Sequence, residues 1–192
     1  MANFDHFNFI GPIYDKIFGR TIDHEIVKLA AVQKDHALLD VGGGTGRVTV
    51  LLKGKTKKLF IADSAIRMLR EAQTKGILCV NSGSERLPFK EGSFDRIIMV
   101  DALHHVEDQQ QTLDEMWRLL SPRGMIIIEE PDIHHILVKL IALGEKLLLM
   151  RSHFLKPKKI IEMCHFDPDA LVEFQPGQGI NWFIVTRQVN HK

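Results

Sequence analysis

The sequence predicts a doubly wound α/β fold built on a mostly parallel sheet, and three observations carry that expectation. Five short apolar runs, at Leu38–Val41, Leu59–Ala62, Ile77–Val80, Phe94–Val100 and Met125–Glu130, are separated by segments with helical spacing. Almost no polar alternation occurs inside the runs, which is the pattern of parallel strands buried on both faces. The first run breaks into Gly42-Gly43-Gly44-Thr45-Gly46 and then resumes a helical pattern, which reads as a buried strand, a tight turn and a helix start. Finally, Gly42, Asp63, Gly83 and Asp101 all fall just past strand ends, where the ligand crevice of such a sheet lies.

Composition narrows the classes of function. At 192 residues the chain suits one domain with a sizeable core. Lys plus Arg number 25 against 24 Asp plus Glu, a formal charge of +1, so nothing points to a nucleic-acid surface. A small-molecule or lipid-like partner is the more natural expectation. The two cysteines, Cys79 and Cys164, are far apart and form no C-x-x-C pair, so neither a disulfide framework nor a zinc site is expected. Met1-Ala2-Asn3-Phe4-Asp5 has no basic region ahead of an apolar run, so a cytoplasmic location is expected.

Each element follows from local chemistry. Residues 1–20 hold Phe4, Phe7, Phe9, Phe18 and Tyr14, an aromatic surface that must be covered, either as a helix packed on the domain or as a lid over a ligand. Ile22, Ile26, Leu29 and Ala30 give an amphipathic helix over 22–32. After the glycine turn, Val48, Leu51 and Leu52 continue a helix, which ends in the solvated basic run Lys53–Lys58. Asp63 closes the second strand about 20 residues after Gly42, where an acid grips a ribose diol; as an alternative it caps the helix at 65–75. Leu113, Met116, Trp117 and Leu120 form one helix face, and Ser121-Pro122-Arg123-Gly124 stops it before the fifth strand.

The glycine spacing decides between ligands. A dinucleotide fingerprint G-x-G-x-x-G counted from Gly42 needs a glycine at 47, which is Arg47, so a nicotinamide-dependent oxidoreductase is not expected. The pattern present, Asp40-Val41-Gly42-Gly43-Gly44-Thr45-Gly46, resembles motif I of the class I S-adenosylmethionine (SAM) dependent methyltransferases, in particular the branch acting on quinones, lipids and other small molecules. The resemblance extends along nearly the whole chain. Glu85-Arg86-Leu87-Pro88-Phe89 fits the family's adenine turn, with Gly83 in place of an acid, and Leu103-His104-His105 resembles its loop after strand four. Pro122-Arg123-Gly124 stands where the family has Pro-Gly-Gly, and the segments 170–174 and 182–187 resemble its final hairpin.

That resemblance implies a Rossmann-like seven-stranded sheet with an antiparallel last strand and helices on both faces. It also implies a single domain over 1–192, with a helical lid or cap at 1–35, a SAM-binding core at 36–130, and acceptor-side helices and a hairpin at 131–192. The implied cofactor residues are Tyr14, beside Asp15 in a pair that closes over SAM, then Asp40, Gly42, Gly43, Gly44, Asp63, Ser64, Gly83, Ser84, Asp101 and Ala102.

SAM carries an electrophilic methyl, so holding an acceptor in line with the S–CH₃ bond, worth about 7 to 11 kcal/mol, matters more than a general base. If a base is needed, His104 is the first candidate, with His105, Glu130 and Asp132 behind it; one histidine of the pair is equally a packed loop residue, and Asp132 a helix cap. The pairs His104-His105 and His134-His135 do not suggest a metal, because no carboxylate-rich or Cys partner lies at ligand spacing. Residues 133–150 are apolar on more than one helix face, which suits a core or homodimer interface, an acceptor pocket, or a membrane surface; Lys139, Glu145 and Lys146 exclude a membrane span. The expected function is methyl transfer to a small apolar or lipid-like acceptor, with a SAM-fold binding protein lacking catalysis as the alternative.

Overall fold

Neighbouring residues along the central strands serve two different cores. Leu39, Val41, Ile97, Met99, Ile126 and Ile128 pack into one buried cluster, while Leu38, Ile98 and Ile127, one position along, pack into another on the opposite face. Period-two side-chain direction thus explains why the strands read as unbroken apolar runs. The computed structural model describes residues 25–132, 153–177 and 179–189. Tyr14, most of the expected lid and the apolar segment at 133–150 lie outside the described residues.

Among the described residues seven strands form one sheet, in the order β3-β2-β1-β4-β5-β7-β6. They are β1 (Ala37–Val41), β2 (Lys58–Asp63), β3 (Leu78–Asn81), β4 (Phe94–Val100), β5 (Leu120–Pro131), β6 (Ala170–Pro176) and β7 (Ile180–Arg187). The pairs among β1 to β5 are parallel, and β7 runs antiparallel between β5 and β6. This is the mixed, mostly parallel arrangement expected from the sequence.

Helix α1, described over 25–30, and a 3₁₀ turn at Thr49–Leu52 cover one face, through Ile26, Ala30 and Leu52. Helices α3 (Gln109–Leu119) and α4 (Pro157–Met163) cover the other, through Leu113, Met116, Trp117, Ile160 and Met163. Helix α2 (Ile66–Thr74) buries Leu69 and Ala72 against Ile61 and Ile77 at the β2–β3 side. Arg187, at the end of β7, closes α3: its guanidinium lies 4.0 Å above the Trp117 ring and donates to the carbonyls of Trp117 (2.9 Å) and Leu120 (2.6 Å). Trp117 lies in the last turn of the helix, where its carbonyl also accepts from Leu120 N, and Leu120 is the C-cap.

Two expectations need correction. The helix after the glycine turn is only the 3₁₀ turn at Thr49–Leu52, because Val48-Thr49-Val50 is a run of β-branched residues with poor helix propensity. Strand five begins at Leu120 rather than Met125: Phe94 pairs with Leu120, then Arg96 with Met125, so Ser121–Gly124 bulge out opposite Asp95. Arg123 takes φ +64° in that bulge, the left-handed region, where the methyltransferase family places a glycine.

Candidate active site

The cleft lies where strand order reverses. β1 has β2 on one side and β4 on the other, so the chain leaves these two strands in opposite directions, which is where an open sheet keeps its crevice. The glycine turn forms the floor. Gly42, Gly44 and Gly46 have φ of +71°, +52° and +76°, values that only glycine adopts without cost. Space is equally restrictive: a Cβ on Gly42 would lie 2.7 Å from Ala102 Cβ, and one on Gly43 would lie 2.6 Å from Asp40 Cγ. The loops after β1 and β4 therefore touch at Gly42 and Ala102, leaving bare backbone for a ligand to approach.

Asp63 is bound into this turn. Its Oδ2 accepts from Gly44 N at 2.9 Å and its Oδ1 from Ala65 N at 2.7 Å. Burial holds its carboxyl above the usual range, against the pull of these two amides. The second bond sits at the start of α2, so the sequence alternatives of ribose ligand and helix cap are not exclusive. Ser64 is exposed, and its carbonyl, with that of Asp63, accepts from Asn81 Nδ2 at 2.9 Å, joining the ends of β2 and β3.

The Gly83-Ser84 turn follows β3 and is fixed to α3, where Ser84 Oγ lies 2.9 Å from Thr112 Oγ1 and Leu87 N donates to Glu115 Oε1 at 2.7 Å. A Cβ on Gly83 would lie 3.0 Å from Glu85 Oε2. The side chain of Glu85 thus fills the space beside the glycine that replaces the family's acid.

Beneath the turn Asp40 is 2% exposed. Thr49 Oγ1 donates to its Oδ2, and its Oδ1 finds no hydrogen-bond partner among the described residues. Burial pushes the Asp40 carboxyl up to about 7, opposed by the Thr49 hydrogen bond and reinforced by the nearby Asp63 charge.

At the end of β4, Asp101 has φ +52°, an uncommon value for a residue with a side chain. His104, in the 3₁₀ turn Leu103–His105, is 2% exposed. Its Nδ1 lies 2.8 Å from Glu130 Oε2, while Glu130 Oε1 accepts from Leu103 N at 2.8 Å. Its Nε2 edge faces Asp101 Oδ1 at 3.9 Å. Phe154 stacks on the ring at 4.3 Å with an interplanar angle of 15°, and His105 tilts against it at 3.9 Å. Burial, with the His104 charge beside it, drives the His105 pKa down to about 3, so His105 is neutral near pH 7.

The structure thus brings Asp40, Gly42, Gly43, Gly44, Asp63, Asp101 and Ala102 around one cleft, with Gly83 and Ser84 on the next loop outward. Sequence reasoning missed the pairing of Glu130 with His104. It also missed Gln109, whose Nε2 donates to Leu103 O (2.9 Å) and His153 O (2.8 Å) and so ties the chain at 153 to the loop after β4. Among the described residues no three His, Cys, Asp or Glu side chains are grouped to hold a metal ion, and His134-His135 lies outside them. A cavity of about 580 Å³ with Pro122, Asp167 and Arg187 in its wall opens at the opposite end of the sheet, by the start of β5.

The residues of the cleft fit an adenosyl cofactor. The glycine cradle admits backbone contact, Asp63 stands at the end of the neighbouring strand, and a buried carboxylate oxygen of Asp40 is left to be satisfied. A doubly wound sheet with such a cleft at its switch point defines a nucleotide- or nucleoside-binding domain. Residues 39–128 match the family described as Methyltransferase domain, whose class I members take SAM as their cofactor.

It is 31% identical over 156 residues to the Ubiquinone/menaquinone biosynthesis C-methyltransferase UbiE of Pseudoalteromonas translucida, covering 70% of this chain. The chain spans only 62% of that relative's length. Two solved structures share the fold. One is a SAM-dependent methyltransferase of Thermotoga maritima, at TM-score 0.71 and 20% identity over 95% of this chain and 98% of that one. The other comes from a complex with the Haloferax volcanii Trm112 methyltransferase activator, at TM-score 0.80 and 15% identity over 98% of this chain and all of that one.

Proposed function

We propose that the chain transfers the methyl group of SAM to a small, apolar acceptor of the quinol type, at a ring carbon. The observation that carries the acceptor class is the aromatic stack on the β4 side of the cleft, Phe154 on His104 on the neutral His105. A flat apolar ring gains contact area against such a wall, whereas a strongly hydrated acceptor loses water there. The activity for which the UbiE relative is named, C-methylation in ubiquinone and menaquinone biosynthesis, supports the same class.

In this reading the backbone of Gly42, Gly43 and Gly44 holds the methionine end with Asp40 beneath it. Asp63, with Ser64 beside it, holds the ribose through the lone pairs that Gly44 and Ala65 leave open. The backbone of Gly83 and Ser84 meets the adenine, and Asp101 and Ala102 line the side nearest the acceptor. Bound SAM supplies a methyl already activated by its sulfonium, so the residues contribute chiefly alignment and exclusion of water. Tyr14 would complete the cover; it lies outside the described residues.

The test is transfer of labelled methyl from SAM to an isoprenoid quinol, with a water-soluble catechol as the competing acceptor. The expected result is label in the organic phase with the quinol. Label in the catechol alone overturns the acceptor class, and no transfer to either overturns the quinol-type reading.

A further inference from the structure

Glu129 and Glu130 are neighbours near the end of β5, and Glu130 points both carboxylate oxygens into the loop after β4, one at Leu103 N and one at His104 Nδ1. Its oxygens being so engaged, Glu130 can reach the cleft only through His104. The ring of His104 is in turn almost without solvent contact and is fixed by the Phe154 stack, so it has one orientation, with its Nε2 edge toward Asp101 Oδ1. Asp101 is the member of this row that solvent reaches, with its side chain 27% exposed. Its backbone, at φ +52°, costs energy to hold.

We propose that Glu130 and His104 are positioning residues for the methyl-transfer site, a strut that holds the Asp101 carboxylate at the mouth of the cleft so that it faces the sulfonium of SAM. This rests on the reading that Asp101 lines the cofactor cleft. The buried His104 ring stands between two carboxylates, 2.8 Å from Glu130 and in a longer contact of 3.9 Å with Asp101, where polar groups interact strongly. The strut gives the enzyme a way to tell cofactor from spent cofactor. SAM carries one net positive charge that its demethylated product, S-adenosylhomocysteine, lacks, so a fixed carboxylate at the sulfonium favours the former alone.

The difference makes the strut separable from a merely structural role. Calorimetric titration of SAM and of S-adenosylhomocysteine, without acceptor, is compared for the wild type, Asp101→Asn, His104→Gln, Glu130→Gln and the double variant Asp101→Asn/His104→Gln. Asp101→Asn is expected to weaken SAM about tenfold and the product less than about twofold. His104→Gln and Glu130→Gln should lower the SAM-to-product affinity ratio in the same sense, and the double variant should be no worse than Asp101→Asn. Equal weakening of both ligands by His104→Gln overturns the strut and makes His104 structural. An unchanged ratio in Asp101→Asn, a partly exposed position that should fold whatever becomes of the buried variants, overturns it directly. A turnover loss of about a hundredfold in His104→Gln with both affinities unchanged also overturns it and makes His104 a base. The binding results do not depend on which acceptor is methylated, so failure of the strut leaves the quinol reading standing.

Discussion

Asp63 Oδ2 accepts from the amide of Gly44 at 2.9 Å, so the acid after β2 and the glycine turn after β1 form one hydrogen-bonded unit. Two half-buried amides, of Gly44 and Ala65, depend on this one carboxylate. Asp63→Ala should therefore lower both the melting temperature and SAM affinity, the latter by about 1 to 3 kcal/mol, the cost of leaving such partners unpaired. Asp63→Asn, which keeps one oxygen and adds an NH₂ that cannot accept, should fall between. Calorimetry and thermal melts on the same samples check this; a melt that drops while SAM affinity holds would make Asp63 a clamp for the turn and nothing more.

Asp40 predicts a pH dependence. Its carboxyl, pushed up to about 7 by burial, retains its proton in the folded chain while the unfolded chain, near the ordinary value of 3.8, has lost it. Between these values the folded state binds the additional proton, so stability contributed by this group is greatest below pH 4 and declines as pH rises toward 7, at about 1.4 kcal/mol per unit. Asp40→Asn keeps an oxygen to accept from Thr49 and removes the titration. Urea unfolding midpoints at pH 5, 6, 7 and 8 should show a flatter profile for the variant and greater stability at pH 8. Parallel profiles for the two proteins would count against the shift.

The parts of the site that were legible in the sequence are those fixed by local chemistry. The glycine turn, the acid after the second apolar run and the end of the fourth strand announce themselves by spacing, because strand ends bring them together whatever the helices do. The contact of Glu130 with His104 was not legible, since it depends on the parallel register that sets Val100 opposite Glu129, and nothing in the order of residues states a register. The helix expected after Gly46 failed for a reason visible in the sequence: apolar periodicity at Val48, Leu51 and Leu52 was outweighed by the β-branched run Val48-Thr49-Val50.

Gly83 offers a test of the adenine turn. Restoring the family's acid there, as Gly83→Asp, should not improve SAM binding, because the new Cβ would stand 3.0 Å from Glu85 Oε2 and bring two carboxylates together. SAM affinity is expected to fall by about two- to tenfold, the scale of a like-charge contact at a partly exposed site. The double variant Gly83→Asp/Glu85→Ala should recover most of that loss. A single variant that binds SAM more tightly than the wild type would show that Glu85 yields and that the acid is the better partner.

Arg123 offers a test of strain remote from the cleft. It is exposed, and it holds φ +64° in the bulge between α3 and the paired part of β5. A residue with a Cβ in the left-handed region carries a penalty of roughly 1 to 2 kcal/mol, while glycine gives back part of the gain through its more mobile unfolded chain. Arg123→Gly should therefore stabilise the protein by about 0.5 to 1 kcal/mol. The bulge lies at the start of β5, whereas the cleft lies at the other end of the strand, so affinity for SAM should be unchanged. Chemical denaturation reads the first expectation and calorimetry the second. A destabilised Arg123→Gly would mean that the guanidinium contributes more to the folded state than the backbone strain costs.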